Sequence, residues 1–334
     1  MYRAISLRNF HVTGNLPQTS ILKSFDANRV VFFMEEFFEG SWFSSSRMVK
    51  LFNFLMDKNL DLSKLTMIFE DYSCKDFFVD WLEKRKIKLD VKPTMKFIPT
   101  ILLNTATMYR RHQTVYKILP KQKLNKKFIC MMGRQNEGRE SLYYFYKKEK
   151  MFESNHISYL GRGMSLEESG EMKNIRVGNS TPSTDSITEF IDDSYFAVVP
   201  ETECWFPSSN KHHSVFFTEK IAKALYYGHP FIVLAGCGFL KGLKDLGFET
   251  FPEFFDESYD DVKDNYDRLE SIAKEVDRLC GLSLEELHDL YHDNFDIIEH
   301  NYNHLLKVPY PLLAYYSKLF NSNPVKNFPD FIKY

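Results

Sequence analysis

Short apolar runs alternate with amphipathic stretches along most of this chain, and that alternation limits the possible folds more than any other feature. Residues 29–34 (RVVFFM) and 65–69 (LTMIF) are continuous apolar runs of strand length. Between them, residues 46–58 place apolar side chains three and four positions apart, as one face of a helix does. Strands and helices that alternate at this spacing form βαβ units with parallel strands. The sequence therefore predicts an α/β fold.

The alternation forms two series. In the first, residues 75–86 predict another helix and residues 88–91 an extended segment. The second series begins at the apolar run 128–132 (FICMM). Its further strands are predicted at 156–160, 195–199 and 230–234, its helices at 141–150 and 217–227, and a helical, acidic region at 259–306. Two such series in 334 residues, 44% of them apolar, predict two domains.

The boundaries between the domains follow from the same pattern. We place the first domain at residues 1–120 and the second at 121–308, because a basic stretch interrupted by Pro120 separates the two series. Residues 309–334 are rich in apolar and aromatic side chains, and we expect this segment to return to the first domain.

Several classes of protein are disfavoured by the sequence. No apolar run reaches the roughly 18 residues of a membrane-spanning helix, and residues 1–6 do not resemble a signal peptide. We therefore expect no membrane span and a cytoplasmic location, in the host cytoplasm if the chain is viral. The Asp192-Asp193 and His212-His213 pairs lack the spacing of metal ligands. We expect neither a metal nor another bound cofactor.

A helix start with two charged residues is the most informative local feature. Thr218 precedes Glu219 and Lys220, and an apolar periodic stretch follows from Ile221. Threonine in this position predicts an N-cap. The first turn of a helix favours anions, because its backbone N–H groups are free and the helix dipole is positive there. A lysine at this place can bind a diphosphate and a carboxylate can bind ribose hydroxyls; the alternative is an ordinary capped helix with surface charges.

The surroundings of this helix start resemble the donor-binding segment of the alpha-1,3-fucosyltransferase family and of related phage and viral glycosyltransferases. The resemblance lies in residues 200–202 (PET) at a strand end, in 216–220 (FFTEK) and in 228–230 (GHP) before an apolar strand. It is clear over about residues 190–305. It implies a GT-B-like fold, in which two Rossmann-like domains face each other across a cleft and a C-terminal helix packs back on the first domain.

The resemblance also implies roles for single residues. It places Glu219 and Lys220 at the ribose and diphosphate of a nucleotide sugar, a UDP- or GDP-sugar, and makes Thr218 either a cap or a ligand. Arg134 or Arg139, after the first strand of the second domain, becomes the candidate phosphate-binding arginine. A guanidinium suits this role because its planar donors can engage two phosphate oxygens. The alternative is that both arginines only solvate a loop.

An inverting transfer of a sugar requires a general base that accepts the proton of the attacking hydroxyl. In this architecture the base usually comes from the first domain. Glu36 follows the strand at 29–34, and Asp71 follows the strand at 65–69. Both lie at the carboxyl ends of strands, where α/β sheets bind ligands. We therefore select Glu36 and Asp71 as candidate catalytic bases, with a solvated or turn-forming carboxylate as the alternative for each.

The distribution of charge suggests an acceptor. Residues 1–127 hold 22 Lys plus Arg against 12 Asp plus Glu, and residues 109–127 contain no acidic residue. Cations mixed with aromatic rings are typical of contacts with a phosphate backbone. The candidate nucleic-acid-binding residues are Arg110, Arg111, Lys117 and Lys121. The charge thus points to a polyanionic acceptor. Together with a composition rich in Lys, Asn, Phe, Tyr and Ile, which suggests a viral genome, it favours a hydroxymethylated pyrimidine of double-stranded phage DNA. A glycan acceptor is the alternative, as is a non-catalytic protein of the same fold that binds nucleic acid or a nucleotide sugar.

Overall fold

The computed structural model describes residues 2–34, 46–111, 118–163, 190–205 and 213–307. Contacts between residues divide the chain into two units, one within Met1–Thr100 and one within Ile101–Val308. Each unit contains a four-stranded sheet in which every described strand pair is parallel. The predicted α/β class is therefore confirmed.

The first unit is a parallel sheet covered by helices. Its strands are β1 (Tyr2–Ser6), β2 (Arg29–Met34), β3 (Leu65–Phe69) and β4 (Thr94–Phe97). Its helices are α1 (Arg8–Thr13), α2 (Gln18–Ser24), α3 (Ser46–Asp57) and α4 (Cys74–Arg85). The strands lie in the order β1-β2-β3-β4, without reversal.

The core of the first unit lies between this sheet and its helices. Alternate residues of β2, such as Phe32, share one buried cluster with apolar side chains of α3 and α4. At its centre, the ring of Phe52 lies 5.5 Å from that of Phe78 and 5.1 Å from that of Trp81. Most of the apolar side chains of α3 and α4 are therefore buried in this core, although Met56 near the end of α3 is 38% exposed.

The predicted strands at 29–34 and 65–69 are confirmed as β2 and β3. The prediction of an extended strand at residues 88–91 is wrong. The fourth strand, β4, begins directly after Pro93. Proline has no N–H to donate to a neighbouring strand, so a strand that needs its full ladder begins after it.

The second unit is a larger α/β assembly. Its strands are β5 (Lys126–Met132), β6 (His156–Tyr159), β7 (Ser194–Pro200) and β8 (Phe231–Leu234). Its helices are α5 (Thr100–Arg111), α6 (Glu137–Lys148), α7 (Glu219–Tyr226), α8 (Phe239–Asp245), α9 (Asn265–Gly281), α10 (Leu284–Asp293) and α11 (Phe295–Lys307). The strands and helices predicted for this part of the chain are confirmed, with shifts at their ends.

The order of strands in the second sheet predicts a crevice. The order is β6-β5-β7-β8, so the chain leaves β5 toward one side of the sheet and returns on the other side. The direction of winding therefore reverses between β5 and β7. At such a reversal the helices that follow the two strands lie on opposite faces, and a crevice opens beyond the carboxyl ends of the strands. This is where open α/β sheets bind ligands.

Helix α5 belongs to the second unit by its contacts. The ring of Tyr109 stacks on that of Tyr226 of α7, with centroids 4.0 Å apart and planes at 6°, and meets the edge of Tyr227. The predicted first domain extends to residue 120, whereas the contacts change from one unit to the other after Thr100. Residues 309–334, expected to return to the first domain, lie outside the described residues.

None of the described helices combines the length and the apolar character that crossing a bilayer requires.

Candidate functional site

The start of α7 is capped as predicted. Thr218 has an extended backbone, and its hydroxyl oxygen accepts a hydrogen bond from the backbone N–H of Lys220 at 3.2 Å. Glu219 and Lys220 therefore lie in the first turn of the helix. Thr218 itself is buried, so its hydroxyl acts within the protein as a cap.

A buried carboxylate, which the sequence pattern did not reveal, lies at the same helix end. Glu201 follows β7 directly, and its backbone N–H donates to the carbonyl of Leu234 at 2.9 Å. Its carboxylate accepts the backbone N–H of Thr218 at 3.3 Å and also the hydroxyl of Thr218. Burial raises the pKa of Glu201, while the nearby charge of Lys220 opposes that rise. The N-terminus of α7 is thus contacted by an acidic side chain of the protein itself.

The ammonium of Lys220 lies at the carboxyl end of β7. It donates to the Thr202 hydroxyl at 2.9 Å and to the Glu219 carboxylate at 2.8 Å. The side chain of Lys220 is 20% exposed and that of Glu219 is 46% exposed, so both still reach solvent. Burial works against ionisation of Glu219, but the charge and hydrogen bond of Lys220 hold the pKa of that carboxyl below its usual range. This arrangement presents a cation and an adjacent anion at one edge of the sheet.

The loop after β5 meets the loop after β7. The side-chain oxygen of Asn136 caps α6 by accepting the backbone N–H of Arg139 at 2.9 Å. The side-chain nitrogen of Asn136 donates to the carbonyl of Thr202 at 3.4 Å. The residue that contacts Lys220 is therefore also held by the start of α6. These contacts lie beyond the carboxyl ends of β5 and β7, the place where the order of strands predicts a ligand-binding crevice.

Arg139 joins these two loops and is not a free phosphate ligand. The residue is 4% exposed. One terminal nitrogen donates to the Arg134 carbonyl at 2.9 Å, and the other donates to the carbonyls of Pro200 and Glu201 at 3.1 and 2.8 Å. Arg134 differs, because its side chain is exposed and its guanidinium has no hydrogen bond or ion pair within the described residues. Of the two predicted arginines, only Arg134 presents its donors to solvent.

Lys121, selected as a nucleic-acid contact, points into the second unit instead. Its ammonium donates to the carbonyls of Ile191 and Ser194, both at 3.0 Å, and lies 3.2 Å from Nε2 of His229. Burial lowers the pKa of Lys121 to about 7. An ammonium enclosed by backbone carbonyls cannot contact a phosphate backbone. The structure therefore does not place Lys121 where a nucleic-acid contact was predicted.

The other lysines of the segment 118–127 also bind the protein. Lys126 donates to the carbonyl of Glu153 at 3.1 Å, and Lys127 donates to the carbonyls of Cys280 and Leu282 at the end of α9. Lys123 pairs with Glu285 at 3.3 Å on the surface. Every lysine in this segment therefore has a partner in the second unit.

The remaining basic candidates do not add to a described basic surface. Arg110 lies on α5 and interacts with other protein groups. The side chain of Arg111 and all of Lys117 lie outside the described residues. Residues 1–100 hold 15 Lys plus Arg against 12 Asp plus Glu, so most of the basic excess belongs to the connecting segment rather than to the first unit.

Of the two candidate bases, one is described. Asp71 follows β3 and is buried, and its Oδ1 accepts the backbone N–H of Ser73 at 2.8 Å. This contact turns the chain toward α4. Glu36 lies within residues 35–45, outside the described part of the chain.

Within the described ranges, no group of three or more His, Cys, Asp and Glu side chains is placed to hold a metal ion. Comparison with protein-family models, with curated proteins and with solved structures finds no match to this chain.

Proposed function

We propose that the protein is a glycosyltransferase of GT-B-like architecture that binds a nucleotide sugar in the crevice between β5 and β7. One observation carries the proposal: the ammonium of Lys220 is held by Thr202 and Glu219 at the carboxyl end of β7, beside the reversal of strand order. A half-buried cation at this edge of a parallel sheet is suited to a phosphate ligand.

Different residues of the site bind different parts of the nucleotide sugar. Lys220 supplies a point charge to the diphosphate, and the exposed guanidinium of Arg134 supplies a second cation with two parallel donors. Glu219 accepts hydrogen bonds from ribose hydroxyls, since about half of its side chain is exposed. Arg139 and Glu201 act behind these residues by holding the loops and the start of α7 in place.

This arrangement supports departure of the nucleotide diphosphate. When the bond from the sugar to the diphosphate breaks, negative charge develops on the departing phosphate oxygen. Fixed cations next to that oxygen stabilise the transition state. In an inverting reaction a carboxylate accepts the proton of the attacking hydroxyl, and Glu36 and Asp71 are the candidates that the sequence offers for this base.

The proposed acceptor is a hydroxyl of a neutral glycan. The lysines of the segment 118–127 bind the second unit itself, and the charges of residues 1–100 nearly balance. The charge argument for a DNA acceptor is thereby weakened. A salt titration tests the choice: DNA binding that weakens steeply with salt would contradict a glycan acceptor and favour DNA.

The donor site is tested by thermal unfolding with UDP, GDP, CDP and ADP. We expect one nucleotide to raise the melting temperature of the intact protein. Lys220→Ala removes a charge-assisted contact, so affinity should fall about 10- to 100-fold. Lys241→Ala is the control, because this lysine is 70% exposed and pairs with Asp245 on α8, away from the proposed site. Absence of stabilisation by all four nucleotides would overturn the proposal. Release of the nucleotide from the matching nucleotide sugar then measures transfer.

A further inference from the structure

An aromatic pair joins the loop after β7 to the start of α9. Trp205 belongs to the loop after β7, and Tyr266 lies in the first turn of α9. Their rings meet edge to face, with centroids 4.9 Å apart and planes at 88°. Tyr266 is nevertheless 63% exposed, so most of its ring faces solvent. A large aromatic ring that stays exposed near a candidate binding site is available to contact a ligand.

The exposed ring is held in place from two sides. The Tyr266 hydroxyl donates to a carboxylate oxygen of Glu137, in the first turn of α6, at 3.1 Å. The Trp205 ring packs against Gly138, where an added Cβ would lie 3.2 Å from the indole and 3.0 Å from the sulfur of Cys204. Tyr266 is therefore fixed by its hydroxyl and by its neighbour. A ring ordered before binding loses little conformational entropy when a ligand covers it.

Short contacts connect this aromatic pair with Lys220. Asn136 precedes Glu137 and donates to the Thr202 carbonyl at 3.4 Å, while Lys220 donates to the Thr202 hydroxyl at 2.9 Å. Thr202 thus contacts both Lys220 and the start of α6, whose Glu137 holds Tyr266. A ligand with a charged group at Lys220 would extend past Thr202 to reach the ring of Tyr266.

The charges at the two ends define the direction of such a ligand. The cation lies at the Lys220 end, whereas Glu137, in the first turn of α6, contacts the hydroxyl of Tyr266. Carboxylates repel phosphate and accept hydrogen bonds from N–H groups. The aromatic end therefore suits a neutral, flat group that carries N–H donors.

We infer that the exposed face of Tyr266 stacks on the heterocyclic base of the bound nucleotide, with Trp205 supporting the ring and Glu137 accepting an N–H of the base. This inference rests on the proposed function, because it places the base relative to a diphosphate at Lys220. Every nucleobase offers a flat π-face, so stacking supplies affinity, and the hydrogen bond to Glu137 supplies selection among bases.

The test compares each nucleoside diphosphate with inorganic pyrophosphate, which has no base, by calorimetric titration. Tyr266→Ala should weaken binding of the preferred nucleotide about tenfold and leave pyrophosphate binding unchanged. Tyr266→Phe keeps the ring and should retain most of the nucleotide affinity. Lys220→Ala should weaken the binding of both the nucleotide and pyrophosphate. Tyr144→Ala is the matched control, since Tyr144 on α6 is also exposed and its hydroxyl is also anchored, by Arg162.

The outcomes separate the two proposals. Nucleotide binding that depends on Lys220 but is unchanged by Tyr266→Ala overturns the stacking inference and leaves the proposed function intact. Equal affinity for pyrophosphate and for all nucleotides would also overturn the stacking inference and leave the proposed function intact. If neither the nucleotides nor pyrophosphate bind, both proposals fail.

Discussion

The carboxylate of Glu201 accepts both the backbone N–H and the hydroxyl of Thr218, so a buried acid joins the end of β7 to the start of α7. Thr218 in turn accepts the backbone N–H of Lys220. The position of the candidate phosphate-binding lysine therefore depends on a residue that does not contact it directly.

The first prediction concerns the titration of Glu201. Because burial raises its pKa in the folded protein above the ordinary 4.5, folding favours the protonated acid. Its contribution to stability is fully present below that ordinary value and is lost as the pH rises through the folded pKa. Glu201→Gln cannot ionise, so the wild type should lose stability relative to this variant as the pH rises. Thermal unfolding of both proteins between about pH 4 and about pH 8 measures this; a constant difference would contradict it.

The second prediction concerns Arg139. Replacing it by alanine leaves the carbonyls of Arg134, Pro200 and Glu201 without their donor. We expect the free energy of unfolding to fall by about 2–4 kcal/mol, since buried acceptors lose their partners. Arg134→Ala, which removes an exposed side chain, should change it by less than about 0.5 kcal/mol. Urea denaturation checks both variants, and equal effects would show that the bridging contacts do not matter.

The third prediction concerns Lys121, whose pKa is lowered to about 7 from the ordinary 10.5. A lowered folded pKa means that the unfolded chain binds the proton more tightly. Stability should therefore rise with pH between about 7 and 10.5 in the wild type relative to Lys121→Met. Lys123→Met, at a lysine whose side chain is 69% exposed, serves as the control and should show no such trend. Melting curves at several pH values measure the difference; its absence would mean that the ammonium reaches solvent.

The fourth prediction concerns Gly236, which follows β8. A Cβ at this position would overlap the carbonyl oxygen of Ser214 and lie 3.0 Å from Cβ of His213. The backbone leading to Thr218 would have to move, so Gly236→Ala should cost about 1–3 kcal/mol and weaken nucleotide binding. Gly281→Ala, where nothing lies within 4 Å of the added Cβ, should leave both properties unchanged. A tolerated Gly236→Ala with full affinity would show that this loop adapts.

Much of the fold follows from local sequence. Strands β2 and β3 are buried on both sides in a parallel sheet, and such strands appear as continuous apolar runs. β1 and β4 carry polar residues at the edges of the sheet and offer no such signal. Their identity as strands depends on their neighbours.

The candidate site was predictable only where its contacts are local. The cap at Thr218 joins residues two positions apart, so sequence is enough to find it. Arg139 and Lys121 each bind carbonyls more than 60 positions away, and nothing near them in the sequence indicates this. Glu201 has one available signal, an acidic residue placed directly after a strand that is buried along its whole length.

The parallel pairing of the strands also affects how the chain reaches its structure. Each of the six described strand pairs is parallel, so a two-residue hairpin can close none of them. In the central pair of the second sheet, Lys126 lies opposite Ser194. The intervening chain must be ordered before that contact stabilises anything, which makes folding slow. Until then the apolar strands are exposed to other chains, so we expect the yield of folded protein to depend on how fast the chain is made and on chaperones.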